Sequence, residues 1–339
     1  MDELLSKMSH GGDIYLAAKL AKCSPADIID FSSNINPTRP HIDLNIQYDD
    51  FVAYADSSYS QLKDTLAEKY ALWREQIGLF NGASSAIFAL FEQLDFSEVT
   101  LYAPIYGEYK KAAEKLNKKI NLINRFAQTW EKPMANSLVI FVNPSTPDGS
   151  YYDLDKLLQE WAQLNCTVII DESFIEFSDK ASFRQKIKEN KKLFIIQSFT
   201  KFYACAGLRV GAVFSHEENI KRLHTPIWHL SSIDVKLLSR LLGDNGHKKR
   251  SLDNLNALTL RLEKILNASK LFDEVFASSA NYVLVKTPQA LSLQEQLLGH
   301  KILVRNCLNF DFLGKDYLRF AVKDELALDA LQKALNALS

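Results

Sequence analysis

The stretch SFTKFYACAGLRVG, residues 198–211, contains two cations among small, aromatic and apolar residues. The cations are Lys201 and Arg209. Lysine and arginine are among the residues least often buried completely unless another group pairs with them. The two side chains therefore either reach solvent or meet an anion inside the protein. The surrounding sequence distinguishes these alternatives.

Short apolar runs alternate with helical patterns on both sides of this stretch. The runs cover residues 97–104, 136–149, 165–177, 191–199 and 208–215. Each run ends in polar, Pro or Gly residues, which is typical of buried strands. Residues 105–119 and 154–165 have apolar positions three and four residues apart, as amphipathic helices do. The alternation predicts an α/β fold with a mostly parallel central sheet covered on both faces.

The pattern changes after Trp228 and predicts a second, smaller α+β domain. A long amphipathic helix is predicted over residues 231–269, and strand-like runs follow at 280–287, 300–307 and 316–322. The N-terminal segment is too short and too irregular to fold alone, so we expect it to pack on this lobe or on a partner subunit. The predicted large domain is 46–230, and the predicted small domain combines 1–45 with 231–339.

The composition excludes several classes of function. The chain has 339 residues with 40 Lys and Arg against 41 Asp and Glu, so no overall field attracts nucleic acid or an anionic membrane. The N-terminus has acidic residues and a polar break where a signal peptide would be apolar, and no apolar stretch approaches the length of a membrane span. The cysteines form no CxxC pair, which disfavours a disulfide framework and a zinc site. We expect a cytoplasmic protein without a bound metal.

Polar residues cluster where the predicted strands end, which is where ligands bind in open parallel sheets. One run ends in NPSTPDG (143–149), the next in DESF (171–174) and the third in SFTK (198–201). Upstream, the turn NGASS (81–85) precedes a helical pattern, and such a turn offers N–H groups and hydroxyls to an anion. The sequence therefore predicts an anion site at this edge of the sheet.

These segments resemble the pyridoxal-phosphate enzymes of the class I/II aminotransferase family, which have the fold type I architecture. The resemblance extends over nearly the full length and is strongest to the threonine-phosphate decarboxylase and histidinol-phosphate aminotransferase groups. The motifs that carry it are HGGDIYLAAKL (10–20), DFSSNINP (30–37), NGASSAIF (81–88), PIYGEY (104–109), DESFIEF (171–177), SFTKFYACAGLRVG (198–211) and VRNCLNF (304–310). One motif alone indicates little, but all of them in the family's order imply an aspartate aminotransferase-like fold and pyridoxal 5'-phosphate as the cofactor.

The resemblance implies three catalytic residues. Lys201 would form the Schiff base with the cofactor aldehyde and then move protons at the substrate α-carbon. Asp171 would keep the pyridine nitrogen protonated, and Tyr106 would stack on the ring. Taken alone, Asp171 is equally typical of a helix cap after a strand, and Tyr106 could be a core aromatic residue.

The same resemblance provides partners for both cations of the first stretch. Arg209 and Thr200, with the turn at 81–85, would hold the cofactor phosphate, while Lys201 would be joined to the aldehyde. The implied cofactor-binding residues besides the catalytic three are Ser198, Thr200, Arg209, Gly82, Ala83, Ser84, Ser85, Asn143, Thr146 and Phe174.

Substrate contacts are implied at both ends of the chain. Arg305 and Arg319 lie in strand-like runs, and the resemblance implies that they grip anionic groups of the substrate together with His10 and Asn34. Bidentate arginine suits phosphate and carboxylate, so a doubly anionic amino acid is expected. A solvated strand face for the arginines and a disordered tail for His10 are the alternatives. Family members build the site at a subunit interface, which implies a homodimer.

Three residues depart from the family's pattern and leave the reaction open. Thr146 and Phe174 stand where transaminases have Asn and Tyr, and Asp148 replaces the usual Thr. The phenolic oxygen of the cofactor thus loses up to two donors, each worth on the order of 1 kcal/mol, unless the Thr146 hydroxyl substitutes. The alternatives are decarboxylation of a small phosphorylated or acidic amino acid, transamination of the histidinol-phosphate type, and cofactor binding without catalysis.

Overall fold

In the computed structural model, which describes residues 10–339, a seven-stranded sheet forms the centre of the chain. Residues 1–9 of the predicted small domain lie outside this range. The remaining strands form a four-stranded and a two-stranded sheet. In chain order the strands are β1 (Ile29–Asp30), β2 (Ile77–Phe80), β3 (Glu98–Ala103), β4 (Lys119–Asn124), β5 (Leu138–Val142), β6 (Thr167–Asp171), β7 (Leu193–Ser198), β8 (Gly211–Ser215), β9 (Glu274–Val275), β10 (Tyr282–Lys286), β11 (Ile302–Leu303), β12 (Arg305–Asn306) and β13 (Tyr317–Ala321). The α-helices are α1 (Ile14–Ala21), α2 (Ser60–Tyr70), α3 (Gly82–Gln93), α4 (Gly107–Lys115), α5 (Asp155–Gln163), α6 (Glu217–Arg222), α7 (Ser232–Leu242), α8 (His247–Ala268), α9 (Ala290–Gly299) and α10 (Glu325–Leu338). Short 3₁₀ helices span Pro25–Asp27, Tyr48–Phe51, Arg74–Gln76, Ile175–Phe177 and Phe183–Lys188.

The strand order in the central sheet is β2–β8–β7–β6–β5–β3–β4. Neighbours pair in parallel except at β8, which is antiparallel to both β2 and β7. Alternate residues of β5 join different apolar clusters: Leu138 and Ile140 pack with residues of α3 and α4, whereas Val139 and Phe141 pack with residues of α2 and α5. The sheet is therefore covered on both faces, which confirms the predicted α/β fold.

The C-terminal region forms a four-stranded antiparallel sheet in the order β12–β13–β10–β9. Strand β1 pairs in parallel with β11, which joins the N-terminal segment to this region. The division into 46–230 and 1–45 with 231–339 stays a prediction. Between residues 10 and 339, none of the helices is both long and apolar enough to cross a bilayer.

The single helix predicted over 231–269 is wrong, because residues 243–246 (GDNG) separate α7 from α8. The Asp244 carboxylate accepts the backbone N–H of His41 at 2.7 Å, which fixes the turn against the N-terminal segment. Glycine inside a helix costs about 1 kcal/mol relative to alanine, and Asp and Asn favour turns, so this sequence ends one helix and begins another. The strand predicted at 300–307 is likewise divided into β11 and β12.

A buried ion pair holds the carboxyl edge of the central sheet together. The Nη2 atom of Arg125 lies 3.0 Å from Oδ1 of Asp148, and both side chains are 1% exposed. Arg125 also donates to the carbonyls of Pro104 (2.7 Å) and Thr146 (3.3 Å), so it connects the segments that follow β3, β4 and β5. Burial disfavours both charges, yet each partner stabilises the other, so the pKa of Asp148 is lowered and that of Arg125 is raised. The aspartate that replaces the expected Thr is thus the partner of a buried arginine.

We expect Asp148→Thr to lower the free energy of unfolding by about 3–5 kcal/mol, because it leaves the Arg125 guanidinium buried without a charge partner. Urea unfolding of the apoprotein measures the loss. The double variant Arg125→Leu/Asp148→Thr removes both charges and should recover much of it. Unchanged stability in the single variant would contradict the importance of the pair.

Candidate active site

Lys201 follows β7 and lies among charged residues from distant segments. Its Nζ atom is 5.3 Å from the centre of the Phe174 ring. Burial lowers the pKa of the Lys201 amine; the charges of Arg319 and Arg209 lower it further, while Asp171 opposes them. An amine in these surroundings is a better nucleophile at neutral pH than a surface lysine. The fold thus brings together residues from three separate segments, 171–174, 201–209 and 319.

Asp171 is the last residue of β6, and its side chain is buried. Its Oδ2 atom accepts a hydrogen bond from the Tyr109 hydroxyl at 2.8 Å, and Oδ1 accepts the Ser173 N–H at 2.9 Å. Burial and the neighbouring Asp171 charge raise the pKa of Tyr109 well above its usual value, so this phenol stays a neutral donor. Sequence reasoning missed Tyr109. The available signal was its position three residues after Tyr106 in PIYGEY, which is one helical turn further along.

A group of hydrogen-bond donors, which we call the anion cup, lies where α3 begins beside β8. The anion cup consists of Gly82, Ala83, Ser84, Ser198, Thr200 and Arg209. Gly82 has a φ of +77°, and a Cβ atom there would lie 2.7 Å from Arg209 Nη2. A Cβ atom on Gly211 would lie 2.5 Å from the Ala83 nitrogen, so only glycine permits this close approach. Ser198 pairs with Gly211 across the sheet, and its hydroxyl lies 2.9 Å from that of Thr200.

The chemistry of the anion cup fits a phosphate group. The N-terminus of α3 presents backbone N–H groups, and the side chain of Asn81 at the cap position does not bind them. In the described part of the chain no carboxylate forms an ion pair with the Arg209 side chain, whose Nη1 atom lies 3.5 Å from the Ala206 carbonyl. Ser85, also predicted here, instead donates its hydroxyl to the Asn81 carbonyl at 2.7 Å.

Tyr106 and His10 lie next to each other beside the anion cup. Their ring centres are 5.9 Å apart, and the Tyr106 hydroxyl lies 3.5 Å from Ser84 Oγ. The Nε2 atom of His10 is 3.3 Å from Oε1 of Glu108. Burial and the charge of Lys111 lower the pKa of His10, and Arg305 lowers it further, despite the opposing effect of Glu108. At neutral pH the contact with Glu108 is therefore made by a neutral imidazole.

Arg305 and Arg319, which we call the arginine pair, occupy directly opposite positions on β12 and β13. Their side chains share one face of the sheet, and the residues are only 5% and 7% exposed, which excludes a solvated strand face. Arg319 donates to the Thr146 hydroxyl and to the Ser32 carbonyl, both at 3.1 Å, and its Nε atom has no partner among the described residues. Burial and the charge of Arg319 lower the pKa of Arg305 to about 10, so Arg305 is still charged at neutral pH. Arg305 also donates a hydrogen bond to the side-chain oxygen of Asn309. Like charges at opposite positions destabilise a strand pair, so two buried arginines here are retained at a cost.

Two predicted cofactor residues have contacts that the sequence did not indicate. The amide of Asn143 is bonded on both sides to the backbone of Tyr152, at 2.9 and 3.0 Å, so it braces the loop after β5 and is not directed at Lys201. Phe174 packs edge-on against Tyr282, with ring centres 5.0 Å apart. Tyr282, which sequence reasoning missed, donates its hydroxyl to a backbone carbonyl at 2.7 Å and lies beneath the guanidinium of Arg319.

Asn34 contributes a buried amide oxygen that has no hydrogen-bond partner among the described residues. Buried amide oxygens are normally satisfied, so an unpartnered one indicates a position for a ligand or for water. The backbone carbonyl of Asn34 accepts a hydrogen bond from Asn281 at 3.0 Å, and Ser32, two residues earlier, is bound by Arg319. The segment that carries Asn34 is thus held against the arginine pair.

These parts together define a class of enzyme. The anion cup fits a phosphate ester, the Lys201 amine fits an aldehyde, and the buried Asp171 carboxylate fits a protonated ring nitrogen. Pyridoxal 5'-phosphate carries all three groups. They meet at the carboxyl edge of a mostly parallel sheet, which is where such folds bind ligands. Fold and site therefore define an enzyme that depends on pyridoxal phosphate.

Comparison with known proteins identifies the family. The model of the family described as aminotransferase class I and II matches residues 26–338. The chain belongs to this family of pyridoxal-phosphate-dependent enzymes.

Individual relatives include both decarboxylases and aminotransferases. The chain is 34% identical, over 93% of its length, to the adenosylcobalamin biosynthesis bifunctional protein CobDQ of Leptospira interrogans, of which it spans 39%. It is 26% identical to the threonine-phosphate decarboxylase of Salmonella typhimurium, with 99% of each chain covered. The crystal structure of histidinol-phosphate aminotransferase from Sinorhizobium meliloti in complex with pyridoxal-5'-phosphate has a TM-score of 0.83 at 16% identity, with 97% of this chain and 96% of that chain covered.

We expect Lys201→Met to raise the free energy of unfolding of the apoprotein at neutral pH. Burial lowers the pKa of the folded-state amine below the ordinary value of 10.5, so protonation favours the unfolded chain, and this penalty disappears once the pH exceeds 10.5. The stabilisation by Met should therefore shrink as the pH rises. Urea unfolding across this pH range measures it. Lys249→Met is the matched control, because Lys249 is exposed and paired with Asp253; a pH-independent effect of Lys201→Met would contradict the perturbed amine.

Proposed function

We propose that this enzyme decarboxylates a small amino acid that carries a phosphate group, as a threonine-phosphate decarboxylase does. The observation that carries the proposal is the arginine pair, whose member Arg319 has only neutral oxygen partners among the described residues. A phosphate accepts several hydrogen bonds and carries up to two negative charges, so it suits a site to which buried arginine contributes. The similarity to a threonine-phosphate decarboxylase over 99% of the chain supports the same function.

The residues around Lys201 have complementary roles in this proposal. Lys201 would bind the cofactor through its amine and, once freed by the substrate, would hold the proton that is delivered to the α-carbon. Asp171, held by Tyr109, would pair with the ring nitrogen, and Tyr106 would provide the stacking surface. The anion cup would bind the cofactor phosphate. Pyridoxal phosphate supplies an electron-accepting ring that stabilises negative charge at the substrate α-carbon.

Which substrate bond breaks depends on the group that the arginine pair holds. The positive charge of Arg319 lowers the pKa of the Lys201 amine, whereas that of Arg305 lowers the pKa of His10. The arginine pair therefore extends from the lysine towards the histidine. A side-chain phosphate bound there would leave the α-carboxylate free of arginine contacts, so that the carboxylate could leave as carbon dioxide. A carboxylate held by Arg319 would instead be retained.

Transamination of a substrate of the histidinol-phosphate type is the second candidate. The arginine pair also suits a phosphate on that substrate, and the likeness to a histidinol-phosphate aminotransferase in fold has a TM-score of 0.83. Phe174 weighs against it, because it has no hydroxyl where the family resemblance implies a tyrosine donor. Thr146 replaces the other donor, and its oxygen already accepts a hydrogen bond from Arg319.

Incubation of the holoenzyme with O-phosphothreonine separates the two reactions. We expect carbon dioxide release while the cofactor stays in its aldehyde form. Arg319→Met should lower kcat/KM by about 30-fold or more, since losing one partner of a buried charge pair costs about 2–5 kcal/mol. Arg222→Met, at an exposed arginine, should leave kcat/KM unchanged. Conversion of the cofactor to pyridoxamine phosphate by histidinol phosphate, with no carbon dioxide from O-phosphothreonine, would establish the second candidate instead.

We further propose that the enzyme is a cytoplasmic homodimer in which a second copy covers an exposed aromatic patch. The patch consists of Tyr48, Phe51, Val52, Tyr54, Ile227 and Trp228, and Tyr54 stacks on Trp228 with ring centres 4.4 Å apart. Clusters of exposed aromatic residues are typical of interfaces. His229, next to the patch, receives a hydrogen bond from Asn81 at 3.2 Å, so the patch adjoins the anion cup.

The free thiols of the cysteines agree with a reducing compartment.

Trp228→Glu should convert the dimer to a monomer, because a carboxylate in the centre of an apolar interface is desolvated without a partner. Gel filtration with light scattering measures the mass. Leu326→Glu is the matched control, since Leu326 is 81% exposed on α10 and lies outside the patch. A fully active wild-type monomer would refute the dimer.

A further inference from the structure

The backbone that carries Lys201 is bound by two residues outside the site described so far, Asn36 and His247. The Asn36 N–H donates to the Lys201 carbonyl at 3.0 Å, and Asn36 Nδ2 donates to the Phe202 carbonyl at 2.9 Å. The Nε2 atom of His247 lies 3.0 Å from the same Phe202 carbonyl. Because a carbonyl only accepts hydrogen bonds, the imidazole carries its proton on Nε2 and donates. Asn36 therefore binds two consecutive carbonyls, and His247, from a distant part of the chain, binds the second of them.

These contacts belong to a closed network in the interior. Asn36, His247 and Ser251 are 3%, 1% and 0% exposed. Asn36 Nδ2 also donates to Ser251 Oγ at 2.9 Å, and that oxygen lies 3.4 Å from Nδ1 of His247, one turn earlier on α8. The Oδ1 atom of Asn36 accepts the Thr38 N–H at 3.0 Å, so both ends of the amide are used. Burial lowers the pKa of His247, which keeps the imidazole neutral.

The turn that begins at Lys201 needs such support. Ala204 has a φ of +50°, a left-handed conformation that costs a non-glycine residue about 1–2 kcal/mol. Backbone of this kind persists only where the surrounding structure determines it. The lysine side chain is a flexible four-carbon stem, so the direction of its amine depends on where its peptide group is held.

We propose that Asn36 and His247 form a lysine clamp, in which both are positioning residues that place the Lys201 amine where it meets the cofactor aldehyde. The clamp rests on the proposed function of Lys201. Asn36 comes from the N-terminal segment and His247 from α8, whereas Lys201 follows a strand of the central sheet. The placement of the lysine is therefore coupled to the docking of both other segments. The His247 ring also packs against Phe202 and Tyr203, at 4.9 and 5.5 Å between ring centres, so packing and hydrogen bonding have to be separated by experiment.

His247→Leu and His247→Gln make that separation, because Leu keeps an apolar side chain while Gln also keeps an N–H donor. When pyridoxal phosphate is added to the apoprotein, the Lys201 amine and the aldehyde condense to an imine with release of water. Borohydride reduction at timed intervals and mass spectrometry then count the linked chains. We expect linkage to be about tenfold slower or more in His247→Leu, since a misplacement of about 1 Å can cost about 100-fold, and near the wild-type rate in His247→Gln. Binding of pyridoxamine phosphate, which uses the anion cup without forming the linkage, should match the wild type in both.

His300→Leu is the control for loss of a histidine, because His300 is exposed at the end of α9 and should link at the wild-type rate. If His247→Leu does not fold, Asn36→Ala provides the same comparison through the other half of the clamp. Wild-type linkage rates in the folded variants, or equal losses of linkage and of pyridoxamine phosphate binding, would overturn the clamp and leave the proposed function intact. Linkage that persists in Lys201→Ala would instead overturn the role of Lys201.

Discussion

The charge balance around Lys201 is the constraint on which the rest of this structure depends. Lys201, Arg209 and the arginine pair are all cationic, and Asp171 is the carboxylate that acts on the lysine from the end of β6. Burial lowers the pKa of both Lys201 and Arg305, which means that the folded chain holds these charges at a cost. Such an arrangement persists only when other interactions compensate for the cost of burying the charges. Bound anionic ligands can provide part of that compensation. The phosphorylated cofactor and, under the proposed function, an anionic substrate would do so.

Holding those cations in place requires a rigid sheet edge, and much of the buried polar chemistry serves that purpose. Arg125 and Asp148 connect the segments after three neighbouring strands, and Asn143 braces one of them through the backbone of Tyr152. Tyr109 supports Asp171. Residues that look like ligand contacts in the sequence thus include several whose hydrogen bonds are made within the protein. They contribute by keeping the directly binding groups at a constant separation.

The sequence located the main parts of the candidate site because the signals are local. A lysine after an apolar run, an aspartate ending a strand, and glycines at the start of a helix each stand out within a few residues. Tyr109, Tyr282 and His247 did not stand out, because a buried aromatic residue that donates a hydrogen bond has the same sequence pattern as one that only packs. The break between α7 and α8 was missed for a different reason: the apolar periodicity on both sides is helical, and the turn is stabilised by Asp244 contacting His41 from the distant N-terminal segment.

The sequence by itself determined the alternation of strands and helices, the position of Lys201 at a strand end and the glycines that allow close backbone approach, since these follow from the periodicity and chemistry of short segments. Only the tertiary structure decided that Arg305 faces Arg319, that Asp148 neutralises Arg125 and that Asn36 reaches the peptide after Lys201. Those contacts depend on strand register and on the packing of segments far apart in the chain, and no single stretch of residues contains that information.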